Sequence, residues 1–388
     1  MQEIYFDNSA TTRVDPEVAD LVYQVMTKAY GNPSSLHKKG MEAEKLMKTA
    51  RRQVAVSLGV EAEEIFFTSG GTEGDNLALQ GIAHAYRKRG RHIITAATEH
   101  PAVLNTCRLL REQGFQVTVL PVDKEGAVSP TAVEQALTAD TILVSLMLVN
   151  NEVGSILPVD AISKILRRQK QRVFFHVDGV QGFGKLNLKP KALGIDVFSA
   201  SGHKIHAPKG IGFLYVNRGV RLTPLFGGGG QEQNLRSGTE NLPGIVGLGL
   251  AAQKAMARLD ANQKQVQAVR DTFLRGLEPL SDWQINGPAT AGLPHVLNIC
   301  FGGVKSEVLL HTLETAGLLV SSGSACAAKK DTLSPVLTAM GLSREAIEGS
   351  LRFSFSPTNT VAEAEQAAAI VIRSVQELRR ILGTTKQQ

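Results

Sequence analysis

Cysteine and aromatic residues are scarce in this chain of 388 residues. It contains three cysteines, Cys107, Cys300 and Cys326. So small and odd a number excludes a disulfide scaffold and favours a reducing compartment. Aromatic residues make up 5% of the chain, too few for the stacking platforms that bind single-stranded nucleic acid. The scarcity raises the question of whether any of the three thiols takes part in chemistry.

The sequence also lacks long hydrophobic runs. No apolar run approaches the roughly 20 residues that a membrane-spanning helix needs, and the first residues lack the charged leader and apolar core of a targeting peptide. These features predict a cytoplasmic protein with no membrane partner. The net charge is +6, but its densest basic runs, 87–89 and 167–168, fall at predicted helix C-termini, where cations are favourable. We therefore expect no direct nucleic-acid partner.

Hydrophobic residues are plentiful at 43%, enough to build a folded core. From about residue 20 to 250, helical and strand patterns alternate, which favours an α/β domain with a mainly parallel sheet covered by helices on both faces. The predicted strands are 64–68, 92–97, 116–121, 141–149, 172–177, 197–201 and 212–216. The predicted helices are 18–30, 43–58, 77–89, 102–113, 130–137 and 159–169.

The pattern changes after the glycine-rich stretch 227–230. One long helix is predicted over 243–280, followed by strands 295–301, 318–321 and 351–356 mixed with helices 307–316, 332–340 and 360–382. This mixture indicates a smaller α+β domain that the N-terminal strand 4–6 joins. We expect a large α/β domain over 11–255 and a small one formed by 1–10 and 256–388.

Polar residues follow five predicted strands of the large sheet. Ligands of open α/β sheets bind beyond the carboxyl ends of the strands, so this convergence predicts a site there. The clusters are 69–76, 98–101, 150–154, 178–181 and 200–204.

Each cluster allows a structural and a functional interpretation. Ser69–Thr72 is either a turn with a helix cap or an anion site, in which glycine backbone N–H groups, a helix N-terminus and the Thr72 hydroxyl meet a phosphate. His100 either caps a helix or lies on an aromatic cofactor. Asp178 is either a capping acid or the partner of a buried cation. Lys204 is either a surface lysine or a partly buried nucleophile, whose pKa burial would lower.

Taken together, one lysine, one acid, one imidazole and one phosphate cradle match pyridoxal 5'-phosphate. Its aldehyde needs Lys204, and its pyridinium nitrogen needs a carboxylate such as Asp178. Thr72, Ser201 and His203 could donate to its phosphate. The run 179–186 resembles a nucleotide-binding P-loop, but it ends in leucine where magnesium requires serine or threonine, so triphosphate binding is not expected.

Cys326 differs from the other two cysteines in its surroundings. Cys107 and Cys300 lie in apolar helical and strand patterns and are expected to pack as small hydrophobes. Cys326 lies in a run of small residues, 321–327, followed by Lys329 and Lys330, which predicts a mobile loop over about 321–332 and a thiol of lowered pKa. An incidental loop thiol is the alternative, and a pyridoxal phosphate site favours a nucleophile instead.

These residues resemble the cysteine desulfurases of the NifS/IscS type, which are fold-type I pyridoxal phosphate enzymes of the class V aminotransferase group. The likeness extends over nearly the whole chain, from the run 5–12 to about residue 382. It is carried by five separated motifs in the family's order, including the Ser-Ser-Gly-Ser-Ala-Cys run at 321–326. Gly71, Gly74, Asp75 and Ala207 depart from the usual family residues.

The resemblance implies a role for each candidate residue. Lys204 would bind the cofactor aldehyde covalently, His100 would stack on the ring and move protons, Asp178 would hold the pyridinium and Gln181 the ring hydroxyl. The implied phosphate contacts are Gly71, Thr72, Ser201, Gly202 and His203, with Thr239 donated by the other subunit of a homodimer. Asn151, beside the cofactor, and Arg352 would hold the substrate carboxylate.

The activity that the resemblance implies is removal of sulfur from L-cysteine, giving L-alanine and a persulfide on Cys326. A sulfur-acceptor protein would then take the sulfur for iron–sulfur cluster assembly or tRNA thiolation. The short tail after residue 382 makes docking to an iron–sulfur scaffold doubtful and tRNA thiolation comparably favoured. Two alternatives are a selenocysteine lyase or other β-lyase, and a non-catalytic binding protein that keeps the fold. No metal site is expected.

Overall fold

The computed structural model describes residues 3–322 and 333–383. Its strands are β1 (Ile4–Tyr5), β2 (Ile65–Thr68), β3 (His92–Ala96), β4 (Gln116–Leu120), β5 (Thr141–Met147), β6 (Phe174–Asp178), β7 (Val197–Ser201), β8 (Gly212–Val216), β9 (Trp283–Asn286), β10 (Val296–Phe301), β11 (Leu318–Leu319) and β12 (Ser350–Ser354). Its helices are α1 (Pro16–Thr27), α2 (Lys38–Leu58), α3 (Gly71–Tyr86), α4 (Pro101–Glu112), α5 (Pro130–Ala136), α6 (Val159–Arg167), α7 (Leu242–Ala257), α8 (Leu259–Leu277), α9 (Ser306–Thr315), α10 (Pro335–Ala339), α11 (Arg344–Glu348) and α12 (Val361–Ile381).

The large sheet has seven strands in the order β2-β8-β7-β6-β5-β3-β4. Strand β8 is antiparallel to both its neighbours, and the other pairs are parallel. Successive residues of β8 alternate between two apolar clusters, because neighbouring side chains of a strand point to opposite faces. Phe213 and Tyr215 join the cluster with α2, α5, α6 and α7, whereas Leu214 and Val216 join the cluster with α3 and α4. The predicted fold class is therefore confirmed.

A second core lies beside a three-stranded antiparallel sheet, β12-β10-β9. Helices α8, α9 and α12 pack apolar residues against those of the strands, and Phe273 meets the ring of Phe353 at 4.8 Å between centroids. The N-terminal strand β1 pairs in parallel with β11, and Asp7 forms an isolated bridge with Ser354. The N-terminal strand therefore contacts this region, while the division into domains, with its boundary at residue 255, stays a prediction.

The prediction of one helix over 243–280 is wrong. Two helices, α7 and α8, occupy this stretch, and the chain breaks between them at Arg258, where φ is −115° and ψ is 15°. The reason lies in what each helix packs against. Helix α7 buries its apolar face against the core of the large sheet, whereas α8 buries Val266, Val269 and Phe273 in the second core.

Other differences concern short elements and element ends. The sequence patterns missed β9 and α11, which are four and five residues long. The helix predicted from 332 begins at Pro335, after Ser334 caps it by accepting the Leu337 N–H. In the described ranges, no helix combines the length and apolarity that crossing a membrane requires.

Candidate active site

The carboxyl ends of β2, β3, β5, β6 and β7 lie along one edge of the large sheet, because these strands run in the same direction. Each ends at a cluster that the sequence singled out. Glycine-rich residues open α3 after β2, His100 follows β3, Asn151 follows β5, Asp178 ends β6, and residues 202–204 follow β7. Side chains from five separate parts of the sequence therefore approach one another here.

Asp178, at the end of β6, is the buried carboxylate of this site. It is 3% exposed, and its Oδ1 accepts the Val180 N–H at 2.9 Å. Burial raises the pKa of its carboxyl group, and the nearby His100 and Lys204 counteract that rise. A buried carboxylate is costly without a cation, and Lys204 of the same predicted site supplies one.

His100 has the capping function and also belongs to the site. Its Nδ1 accepts the Ala102 N–H at 3.1 Å, which caps α4. Because Nδ1 is an acceptor, a neutral ring carries its proton on Nε2. Burial lowers the pKa of the ring, Lys204 lowers it further and Asp178 opposes them. With Nδ1 occupied by the cap, the neutral ring offers its Nε2–H as a donor.

Lys204 ends the 3₁₀ turn Gly202–Lys204 that follows β7. Its side chain is half-buried, as expected, and its Nζ donates to the backbone oxygens of Ser9 and Ala10, the latter at 2.8 Å. The N-terminal segment therefore passes directly over the lysine.

The start of α3 forms a close-fitting cradle. Gly70 has a φ of 155°, which residues with side chains rarely adopt. A Cβ atom at this position would lie 3.6 Å from the Ser201 Oγ. A Cβ atom on Gly71 would lie 2.5 Å from a methyl carbon of Val180. The first N–H groups of a helix have no partner within the helix, so an anion can approach them here. The exposed Thr72 adds a hydroxyl group.

His203 and Gln181 complete the polar lining. The His203 Nδ1 lies 3.2 Å from the Thr11 hydroxyl, and burial, with the neighbouring lysines, lowers the pKa of its ring to about 4. It is therefore a neutral donor near pH 7. Gln181 is buried, and its Nε2 donates to the Ser9 carbonyl oxygen at 3.0 Å.

Arg352 and Asn151 come together, although 201 residues separate them in sequence. Arg352 is 4% exposed, donating through Nη1 to the Asn151 backbone oxygen at 3.0 Å and through Nη2 to Asp7 at 2.8 Å. Its buried Nε has no acceptor among the described residues. The Arg352 N–H also donates to the Ser321 oxygen at 2.7 Å, which places the start of the predicted cysteine loop beside this arginine.

One predicted residue that the structure describes is not brought into this cluster. Thr239 is exposed in the segment between β8 and α7. Cys326 and most of the predicted loop lie outside the described residues. Cys107 and Cys300 are buried, which confirms them as packing residues, and burial raises the pKa of Cys107 to about 12.

Sequence reasoning missed a polar network beneath the site. Ser145 and His176 are joined at 2.8 Å, His176 approaches Ser199 at 3.2 Å, and Ser199 donates to Asp75. Burial raises the pKa of Asp75 well above its usual value, and the nearby Asp178 adds to that shift. The available signal was weak: polar residues alternate within β6 and β7, and Asp75 departs from the family pattern.

The residues present fit pyridoxal 5'-phosphate. The donor set includes a primary amine on Lys204, a buried carboxylate on Asp178 and a glycine cradle at a helix N-terminus, and these are the groups that its aldehyde, ring nitrogen and phosphate require. Among the described residues, no group of three or more histidine, cysteine or acidic side chains could hold a metal ion.

Comparisons with known proteins agree with this geometry. The model of the aminotransferase class-V family matches residues 4–366. A cysteine desulfurase IscS from Methanosarcina thermophila is 43% identical over 99% of this chain and 95% of its own length. A solved NIFS-like protein superposes with a TM-score of 0.90 at 39% identity, covering 99% of this chain and 100% of its own.

Another solved structure, SspA in complex with cysteine, has a TM-score of 0.81 at 34% identity and covers 91% of this chain and 99% of its own. The relatives cover most of the chain, and the family model spans residues 4–366, which include the ends of the five strands that carry the site. The chain therefore belongs to the aminotransferase class-V family of pyridoxal phosphate enzymes and, within it, to the cysteine desulfurases of the IscS and NifS type.

Proposed function

We propose that this protein is a cysteine desulfurase that uses pyridoxal 5'-phosphate to convert L-cysteine into L-alanine and to leave a persulfide on Cys326. The observation that carries the proposal is the assembly of Lys204, Asp178 and His100 at one sheet edge, with Arg352 bridging to Ser321 where the cysteine loop begins. The names of the relatives, and the cysteine bound to one of them, support the choice of substrate.

The described residues would hold the cofactor and the substrate at opposite ends of the site. The α3 cradle with Thr72, Ser201, Gly202 and His203 would take the phosphate, and Lys204 the aldehyde. Asp178 would keep the ring nitrogen protonated, Gln181 would contact the ring hydroxyl and His100 would stack on the ring. When bound, pyridoxal phosphate supplies an electron sink for charge that develops at the substrate Cα.

The substrate carboxylate would lie against Arg352 and Asn151. The Arg352 Nε is already buried and has no described acceptor, so a carboxylate oxygen there would satisfy a group that is costly to leave unpaired. Arg352 remains bound to Asp7 through a different nitrogen. The substrate is thereby oriented without breaking the existing ion pair.

Protons and sulfur would then move as follows. Lys204 would take the proton from the substrate Cα, and His100 would act nearby as a proton donor through its Nε2–H. The Cys326 thiolate attacks the substrate sulfur, so that a sulfur–sulfur bond forms as the carbon–sulfur bond breaks. The substrate Cβ takes up a proton, and the product leaves as alanine. L-cysteine and one thiol thus become alanine and one persulfide, with atoms balanced.

The protein would act as a homodimer and pass its sulfur to another protein. The exposed position of Thr239 suits donation to the phosphate of a second copy. A persulfide must reach an acceptor, and we propose one that serves iron–sulfur cluster assembly or tRNA thiolation. A reactive thiol is vulnerable to oxidation, so a reducing, cytoplasmic setting suits the chemistry.

The decisive experiment is incubation of the holoenzyme with L-cysteine, with alanine quantified and the persulfide mapped to a residue. We expect equimolar alanine and persulfide in the first turnover, with the sulfur on Cys326. Cys326→Ala should keep the visible absorbance of the bound cofactor yet form no alanine, and Lys204→Ala should lose that absorbance. Cys107→Ala is the matched control, since its thiol is buried and its pKa is raised. Normal turnover by Cys326→Ala would reject the proposal.

A further inference from the structure

Lys185 is a buried lysine to which the proposed reaction gives no role. It lies in the glycine-containing turn after Asp178 and is 8% exposed. Burial, together with the positive charges of Lys204 and Arg352, lowers the pKa of its amine to about 7. Burying a cation without a carboxylate is unfavourable, so this residue calls for an explanation in terms of what it contacts.

The contact of Lys185 is with Gln181, one of the predicted cofactor residues. The Lys185 Nζ donates to the Gln181 Oε1 at 3.0 Å, and both side chains are buried. An ammonium group has donors and no acceptor. The amide oxygen of Gln181 must therefore face Lys185, because the reversed amide would place two sets of N–H groups against each other.

The orientation of the amide oxygen also determines where the amide nitrogen lies. The Gln181 Nε2 carries two N–H groups, and one donates to the Ser9 carbonyl oxygen at 3.0 Å. The second N–H remains for a ligand. A reversed amide would present an oxygen to the Ser9 oxygen, so both described neighbours of Gln181 favour the same orientation.

We propose that Lys185 is a positioning residue that fixes the orientation of the Gln181 amide, so that Gln181 presents an N–H donor to the ring hydroxyl oxygen of the cofactor. The inference rests on the proposed function, which places Gln181 against that oxygen. A donor stabilises the oxygen in its ionised form, whereas an amide oxygen in the same place would repel it. Lys185 thus acts on the cofactor through Gln181.

Among the described residues, the charged groups that shift the pKa of Lys185 are both positive. Lys204 and Arg352 act on it directly, and Lys185 in turn lowers the pKa of the rings of His203, His206 and His295. Because no carboxylate contributes to the pKa shift of Lys185, its amine can lose its proton near neutral pH. The neutral amine can also accept a hydrogen bond, so the constraint on Gln181 weakens as pH rises through about 7.

The test compares three single variants of the holoenzyme. Lys185→Met removes the donor and keeps the length of the side chain, Lys185→Arg keeps a donor, and Lys189→Met changes an exposed lysine of the same segment. We expect Lys185→Met to raise the Kd for pyridoxal phosphate roughly tenfold, as loss of a charge-assisted hydrogen bond would. It should also shift the visible absorption maximum of the bound cofactor. Lys185→Arg should restore most of both properties, and Lys189→Met should leave them unchanged.

A double-mutant cycle separates action through Gln181 from action elsewhere. In a Gln181→Ala background, Lys185→Met should change the Kd for pyridoxal phosphate by less than twofold. It should cause no measurable shift of the absorption maximum. Full additivity of the two substitutions, or wild-type properties in a folded Lys185→Met holoenzyme, would overturn the proposal. These results do not depend on alanine production, so a wild-type enzyme that binds the cofactor but forms no persulfide would refute the proposed function instead.

Discussion

The carboxyl edge of the large sheet and the core of the small sheet are both buried, but they contain different kinds of residue. The edge concentrates ionisable groups, and burial shifts the pKa of each: Asp75, Glu99, His176, Asp178 and Lys185. The small core is aromatic, with rings that meet edge-on or tilted: Phe6, Phe273, Phe301, Phe353 and Phe355.

The difference indicates that the sheet edge serves the reaction and that the small core serves stability. Groups with shifted pKa values are costly to bury and are found where proton transfer is needed. The aromatic core contributes apolar burial, and β12, which carries Phe353, also carries Arg352 to the substrate end of the site. The two regions can therefore be perturbed separately, and two probes report on them. Trp283, the one tryptophan of the sequence, packs against the small core, and the bound cofactor reports on the edge.

The largest effect is expected from Phe353→Ala, which removes a fully buried ring from the small core. Large-to-small core substitutions of this kind lower the free energy of unfolding by about 3–5 kcal/mol. Urea denaturation followed by Trp283 fluorescence measures the loss. Phe226→Ala, at an exposed ring, should change it by less than about 0.5 kcal/mol. An equal loss in both variants would show that the aromatic core is not the source of stability.

The next effect concerns the edge and should leave the small core intact. Asp178→Asn keeps an acceptor for the Val180 N–H and removes the charge. We expect kcat for alanine formation to fall by about 10²–10³-fold, as loss of one electrostatic stabiliser does. The midpoint of the Trp283 transition should not fall, since the variant no longer buries a carboxylate. An unchanged kcat would show that Asp178 takes no part in the reaction.

The smallest of the three effects is a pH dependence at Glu152, where the two regions meet. Burial raises the pKa of this carboxyl group to about 7, its Oε2 accepts from Ser334 at 2.6 Å, and its backbone oxygen accepts from Asn298 of the small sheet. Between its unfolded pKa of about 4.3 and about 7, the folded state holds a proton that the unfolded state has lost. Stability from this group is therefore present at low pH and falls as pH rises through that window.

Glu152→Gln removes this dependence. The variant should have a higher free energy of unfolding than wild type at pH 8, by up to about 3 kcal/mol, and the difference should shrink toward pH 5. Urea denaturation at the two pH values measures it. A constant difference between the variants at both pH values would place the cause outside the ionisation of Glu152.

The sequence predicted the parts of the molecule that depend on local pattern. Strands β7 and β8 were predicted with the bounds they have, because each is a short segment with buried apolar residues between polar turns. Lys204 could be predicted because it follows such a strand. The break at Arg258 could not, since neither glycine nor proline marks it and only packing against two different cores requires it.

Contacts between distant residues account for the rest of what was missed. The lowered pKa of Lys185 depends on burial and on the charges of Lys204 and Arg352, neither of which is its neighbour in sequence. Asp7 follows the predicted strand 4–6 and received no role from the sequence, and it proved to be the ion-pair partner of Arg352. A pattern of residue types carries no information about such partners until the chain is folded.

The N-terminal segment has a consequence for the order in which the protein can mature during synthesis. Ser9 and Ala10 supply the oxygens that hold Lys204, yet Asn8 is itself fixed by the Ser354 carbonyl oxygen, 346 residues later. Strand β1 likewise pairs with β11, which is synthesised much later. A nascent chain can complete the large sheet long before these partners leave the ribosome. This segment is translated before the large sheet yet is anchored after it, so the oxygens that hold Lys204 reach their positions late in synthesis.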